Sequence, residues 1–274
     1  MKKAVKQTAR FLRNSLPLSS GNELSEVTAA RDHRAMDRDP LGDARTLVRD
    51  RYPQAVYAVL AGSVLTEHRT AGSDLDIVVV LPLGDLLAPR RESLVFASWP
   101  VELFVHDEQT LDWWLAKERP ERKPTLHRMV GCGTPVVGDP AERQAACRAV
   151  LDAGPDPLAP AQLEAARYGL TDLLDDLTHA ADTGERQVIA AALWADAARL
   201  ALVAGNRWNG TGKWLLRELR AHDPDLADRW LAAQHDPAAI EAFARDVLDR
   251  LGGPLFDGYR AVAPRPEVTA PARS

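Results

Sequence analysis

The sequence predicts an α+β chain: an N-terminal β-sheet domain with flanking helices, followed by a C-terminal α-helical bundle. Two apolar runs, residues 55–60 (AVYAVL) and 77–81 (IVVVL), have the length and β-branched content of buried strands. Residues 153–160 (AGPDPLAP) read as a Pro-rich linker. Beyond Ala161 there is no strand signal, and apolar residues recur at helical spacing.

Taken in order, residues 1–20 carry Lys2, Lys3, Lys6, Arg10 and Arg13 and no acidic residue, and residues 21–40 are polar and patternless. Residues 1–40 are therefore expected to be an extension without fixed structure. Leu41, Ala44, Leu47 and Val48 predict a helix that ends before Pro53. The first strand breaks at Gly62-Ser63, and the second begins at Asp74. Residues 82–91 are a charged connection. Residues 93–97 and 101–105 read as two further strands joined through Ser98-Trp99-Pro100. Helices are expected over 110–117, 125–130 and 141–151, with a turn-rich piece at 131–139 closing the first domain, residues 41–152.

In the second domain, residues 161–256, four helical stripes stand out. They are Leu163/Ala166/Leu170/Leu173/Leu174/Leu177, Ile189/Leu193/Leu200/Val203, Leu215/Leu216/Leu219 and Ile240/Phe243/Val247/Leu248/Leu251. A shorter helix over 226–233 lies between the last two, and residues 257–274 are expected to be a solvated tail.

A chain of 274 residues suits two modest domains, and 46% hydrophobic with 27% charged residues is ordinary for a globular protein. The net charge of −5 argues against a general nucleic-acid binder. Cys132 and Cys147 lack metal-ligand spacing and are expected to be small buried hydrophobes in a reducing cytoplasm. No apolar run approaches the length of a membrane span, so no membrane partner is expected.

The chemistry concentrates in residues 55–81. In a strand Asp74 and Asp76 share a face, about 7 Å apart, while Leu75 points into the core. Two such carboxylates are costly unless a cation joins them, and oxygen ligands of this kind suit Mg²⁺ with substrate phosphates. The Gly62-Ser63 turn offers backbone N–H groups and a hydroxyl to a phosphate. Glu102 stands inside the apolar strand Val101–Leu103–Phe104–Val105, where an unpaired charge is expensive; a structural ion pair or a water-facing edge is the ordinary alternative.

The pattern Gly62-Ser63, nine residues, Ser73-Asp74-Leu75-Asp76 resembles the signature of the DNA polymerase β-like nucleotidyltransferase superfamily. Within it the chain looks most like the aminoglycoside (antibiotic) nucleotidyltransferases with a C-terminal helical domain. One departure is Glu67, where many members carry glycine. The resemblance implies a mixed sheet, catalytic and metal-ligating roles for Asp74, Asp76 and Glu102, and two Mg²⁺ ions. Glu102 would be the third carboxylate and a candidate general base.

Gly62, Ser63 and Ser73 would bind the nucleoside triphosphate, with ATP as donor. Lys213, in the first turn of its helix behind Thr211 as cap, would join them; a solvated lysine is the alternative. The acceptor would be a small hydroxylated molecule in the cleft between domains. Asp172 and Asp176, with Asp175, form either a solvated helix face or a receiver for a cationic acceptor. Asp196 falls on an apolar stripe and either ion-pairs inside the bundle or faces the cleft. Trp113, Trp114, Trp194, Trp208 and Trp214 are core or rim aromatics, and His68 and Arg69 touch phosphate or water. Two other functions stand beside this one: a regulatory enzyme that nucleotidylates a partner protein, as antitoxin-like relatives do, and a catalytically inactive binding module.

Overall fold

Seven apolar-rich residues, Leu75–Leu81, form β2, the middle strand of a five-stranded sheet. The computed structural model describes residues 38–262, so most of the expected N-terminal extension and the last part of the tail lie outside the described residues. Strand β1 (Tyr57–Ala61) pairs antiparallel with β2, and β4 (Trp99–Asp107) pairs parallel with its other side. β3 (Arg90–Phe96) and β5 (Thr134–Val137) flank them, giving the order β3-β4-β2-β1-β5 and a mixed sheet, as expected.

Both faces are covered, which is why β1 and β2 read as continuous apolar runs rather than alternating ones. On one face α1 (Pro40–Arg51) packs Ala44, Leu47 and Val48 against Leu60, Leu75, Ile77 and Leu103. On the other, α2 (Glu108–Glu121), α3 (Thr125–Cys132) and α4 (Ala141–Ala153) cover Tyr57, Val59, Val78 and Val80. Strand β3, at the edge, alternates instead: Arg91, Ser93 and Val95 are exposed and Leu94 and Phe96 pack inward.

Several boundaries differ from the sequence reading. β5 was not expected; Pro135 and its flanking glycines read as a turn, but an edge strand tolerates a proline. The β3–β4 turn is the two-residue Ala97-Ser98 pair, with φ of 47° and 65°. Such left-handed pairs match the twist of a tight hairpin. Trp99 and Pro100, expected in the turn, therefore belong to β4. β3 starts at Arg90 rather than Ser93, and α2 starts at Glu108, behind an Asp107–Thr110 capping box, and runs past residue 117 to Glu121. Helix α3 has no side-chain cap of its own; the buried Glu118 carboxylate accepts from Leu126 N (2.6 Å) and His127 N (3.1 Å) in its place.

The second half is a helical bundle: α5 (Pro160–His179), α6 (Thr183–Ala204), α7 (Lys213–His222), α8 (Pro224–Ala233) and α9 (Pro237–Asp249). Leu170, Leu174, Leu193, Leu200, Leu219, Phe243 and Leu248 share its core. Contrary to the sequence reading, α6 is, by length and composition, long and apolar enough to cross a membrane; here Leu193, Ala197 and Leu202 bury one side of it in the bundle core. Trp194 and Trp230 stack at 3.9 Å, and each indole N–H donates to the other's carbonyl at 2.8 Å. In the tail, Tyr259 stacks on Tyr168 of α5 at 4.1 Å, so the chain stays docked at least that far.

Arg122 ties the halves together. It ends α2 in the left-handed region, is 4% exposed, and donates to Asp156 O, Asn206 Oδ1 and Arg207 O. Its own carbonyl accepts from Asn209 N at 2.7 Å. Trp208 Nε1 donates to Leu151 O at 3.1 Å, and an Arg128–Glu218 ion pair joins α3 to α7. These contacts fix the loop before α7 against the helices of the first half. Cys147 is buried, which pushes its thiol up to about 11. Cys132, expected to be buried, is exposed where α3 ends.

Candidate active site

The chain leaves β1 at Ala61 and turns at Gly62, whose φ of 89° and ψ of −175° lie in a region only glycine occupies at low cost. A Cβ there would also stand 2.5 Å from Asp76 Oδ2. The turn backbone thus lies directly against a carboxylate, and Ser63–Leu65 continue it as one 3-10 turn. Ser73, expected at the nucleotide, is 4% exposed: its Oγ accepts from Thr70 N at 3.0 Å and lies 3.2 Å from Ser63 Oγ. It holds the return of the loop to β2. Glu67 and His68 are exposed at the loop tip, while Arg69 turns back to donate to Arg38 O at 2.9 Å.

Asp74 immediately precedes β2, and Asp76 is its second residue. Parallel pairing places Asp76 directly beside Glu102 of β4, at strand spacing of about 4.8 Å. One oxygen from each of Asp74, Asp76 and Glu102 lies within 4.8 Å of the others. All three are partly buried. Burial, then the charges of Asp74 and Glu102, push the Asp76 carboxyl up from 3.8 to about 6, against the opposing pull of Lys213 and Arg91. Three converging carboxylate oxygens with an excess of negative charge, and no sulfur or nitrogen donor among them, fit a hard divalent ion such as Mg²⁺.

The helical half bears on this cluster through the charge of Lys213, which is exposed. It is the first residue of α7, and its charge acts on Asp76. Thr211 does not cap the helix with its hydroxyl; Gly212 is the N-cap, without a side-chain bond, and Thr211 O accepts from Trp214 N at 3.1 Å. A lysine at this end opposes the helix dipole unless anions are near, and the cluster supplies them. If the cluster carries the nucleotidyl transfer that the sequence resemblance implies, Lys213→Ala is expected to lower nucleotide-dependent kcat/KM by about ten- to a hundredfold, the worth of a charge-assisted phosphate contact of roughly 1.5–3 kcal/mol. Steady-state kinetics with ATP varied at saturating acceptor check this; an unchanged value returns Lys213 to the surface.

The remaining candidates disperse. Asp172, Asp175 and Asp176 are exposed on α5, Asp175 lying 3.3 Å from His179 on the same helix. Asp196, expected inside the bundle or at the cleft, is half-exposed and pairs with Arg199 one turn on. Trp208 is buried, Trp113 and Trp114 are exposed on α2, and Trp214 is partly exposed beneath the Arg128 and Arg217 guanidiniums, at 4.7 and 4.9 Å. Arg91, which donates to Glu102, was not a sequence candidate, because the strand that aims it was expected to start two residues later.

No family model matches this chain, nor does any curated protein sequence. A solved structure, a nucleotidyltransferase-like protein from Exiguobacterium sibiricum 255-15, aligns with 77% of this chain and 74% of its own length, at 13% identity and a TM-score of 0.43. A likeness of that size settles neither fold nor chemistry, which rest on the residues themselves.

Proposed function

We propose that the chain is a divalent-metal-dependent nucleotidyltransferase that moves AMP from ATP onto a hydroxyl of a small molecule, such as an aminoglycoside-type antibiotic, and releases pyrophosphate. The observation that carries this reading is the convergence of Asp74, Asp76 and Glu102 beside the Gly62-Ser63 turn, with the Lys213 charge of the helical half acting on Asp76. Asp74, Asp76 and Glu102 would hold Mg²⁺, two ions by resemblance to the superfamily, which when bound polarises phosphate oxygens and offsets charge in an in-line displacement. The backbone and hydroxyl of Gly62-Ser63 hold phosphate oxygens, and Lys213 adds a charge-assisted contact.

Glu102 takes the proton of the acceptor hydroxyl as its oxygen bonds to the α-phosphorus and the bond to the bridging oxygen of pyrophosphate breaks. Asp172 and Asp176, exposed on α5, would be the groups to receive a cationic acceptor. A reducing cytoplasm suits the two free thiols.

The test is pyrophosphate release on incubation with ATP, Mg²⁺ and a panel of hydroxylated antibiotics and metabolites. Release that depends on Mg²⁺, on one acceptor class and on Asp76 supports the reading. Label from ATP appearing on a protein instead would move the acceptor to the partner-protein class, and no transfer to any acceptor would overturn the reading.

A further inference from the structure

Arg91 lies on the edge strand β3, in register with Phe104 of β4. Its guanidinium rests over the Phe104 ring, 4.7 Å from the centroid, and its Nη2 donates to Glu102 Oε2. Glu102 is thus at once a member of the carboxylate cluster and one half of an ion pair. A divalent ion entering the cluster needs an oxygen of Glu102 and brings two positive charges beside a third. Both demands oppose the guanidinium.

We propose that Arg91 is a counter-ion latch: in the metal-free protein it occupies Glu102, and a divalent ion bound between Asp74, Asp76 and Glu102 displaces it. The proposal rests on the reading of this cluster as a metal site. The geometry suits a contact made and broken in each cycle. The Arg91 side chain is 60% exposed and that of Glu102 32%, and ion pairs so open to water are weak. Stacking on Phe104 gives the planar guanidinium a resting place that does not depend on Glu102, which a lysine would use less well. In the metal-free state the latch offsets part of the repulsion among the three acids, in concert with the Lys213 charge on Asp76.

The latch acts through Glu102, so a double-mutant cycle isolates it. Mn²⁺ binding to the full chain is measured by calorimetry for the parent, Arg91→Ala, Glu102→Gln and the double variant. Arg91→Ala is expected to bind Mn²⁺ about two- to fivefold tighter than the parent, the range of a part-exposed ion pair with its charge removed. In the Glu102→Gln background the same substitution is expected to change affinity less than about twofold. Equal tightening in both backgrounds means that Arg91 acts only as a distant charge and overturns the latch. Unchanged or weakened binding in Arg91→Ala also overturns it. A parent protein that takes up no Mn²⁺ removes the metal reading itself, a result distinct from the other two.

Thermal unfolding in chelator supplies a readout that needs no metal. Arg91→Ala is expected to lower Tm more in the parent background than in Glu102→Gln, where only the stacking on Phe104 is lost. Equal effects in the two backgrounds overturn the latch even where Glu102→Gln binds Mn²⁺ too weakly to titrate.

Discussion

Asp76→Asn is expected to abolish turnover while making the metal-free protein more stable at neutral pH. The two effects share one cause. Asp76 sits among two other carboxylates and partly out of water, and its carboxyl is held up at about 6. A carboxyl whose folded value lies above its unfolded 3.8 binds protons more tightly in the folded state. Stability is therefore full below pH 3.8, falls as pH rises toward 6, and stays reduced above it. A change from 3.8 to about 6 corresponds to ~3 kcal/mol. Solvent around a partly exposed group reduces this to about 1–2 kcal/mol.

The uncharged Asn variant removes that penalty, so in chelator its Tm should exceed the parent's at pH 7.5 and converge with it near pH 4. Turnover moves the other way. Removing a group that merely orients a metal ligand costs about 10- to 100-fold, and loss of a ligand should cost more than that. Undiminished turnover, or a variant less stable than the parent in chelator at pH 7.5, would contradict the assignment.

Gly62→Ala should be nearly as damaging, and by geometry rather than charge. The added methyl meets two obstacles: a backbone at φ 89°, ψ −175°, and the Asp76 carboxylate oxygen 2.5 Å away. The first costs on the order of 1–3 kcal/mol. The second pushes Asp76 out of line with Asp74 and Glu102 or lifts the turn away from the cluster. On the proposed reading either outcome separates the phosphate-holding backbone from the metal ligands, so kcat/KM is expected to fall by about a hundredfold or more, since displacements near 1 Å at a reacting centre have that cost. A drop in Tm without any loss of kcat/KM would show that the turn is only a structural feature.

The physical reason the carboxylate cluster was legible in the sequence is that it obeys short-range rules. Asp74 and Asp76 share a face because side chains alternate along a strand, and Glu102 stood out because a charge inside VELFV needs a reason. Gly62 was legible as a break between two apolar runs, though its contact with Asp76 was not. What the sequence hid depends on partners distant in the chain. Arg91 acquires a role only once β3 pairs with β4. Ser73 was legible as a candidate, but its contacts with Thr70 N and Ser63 Oγ were not, since they form only on loop closure. β5 was masked by Pro135 because turn chemistry and edge-strand tolerance look alike locally. The helical stripes were clear, yet the depth of Asp196 was not: it is half-exposed and pairs with Arg199 one turn away.

The most direct measurement is ATP binding to the full chain by calorimetry, with and without Mg²⁺, for the parent and for Asp76→Asn. If Asp74, Asp76 and Glu102 hold the metal that joins nucleotide to protein, the parent binds ATP with Mg²⁺ and loses most of that affinity in chelator, and Asp76→Asn shows no gain from Mg²⁺. ATP binding that is equally strong without metal, or that responds to Mg²⁺ in Asp76→Asn as it does in the parent, would contradict the account.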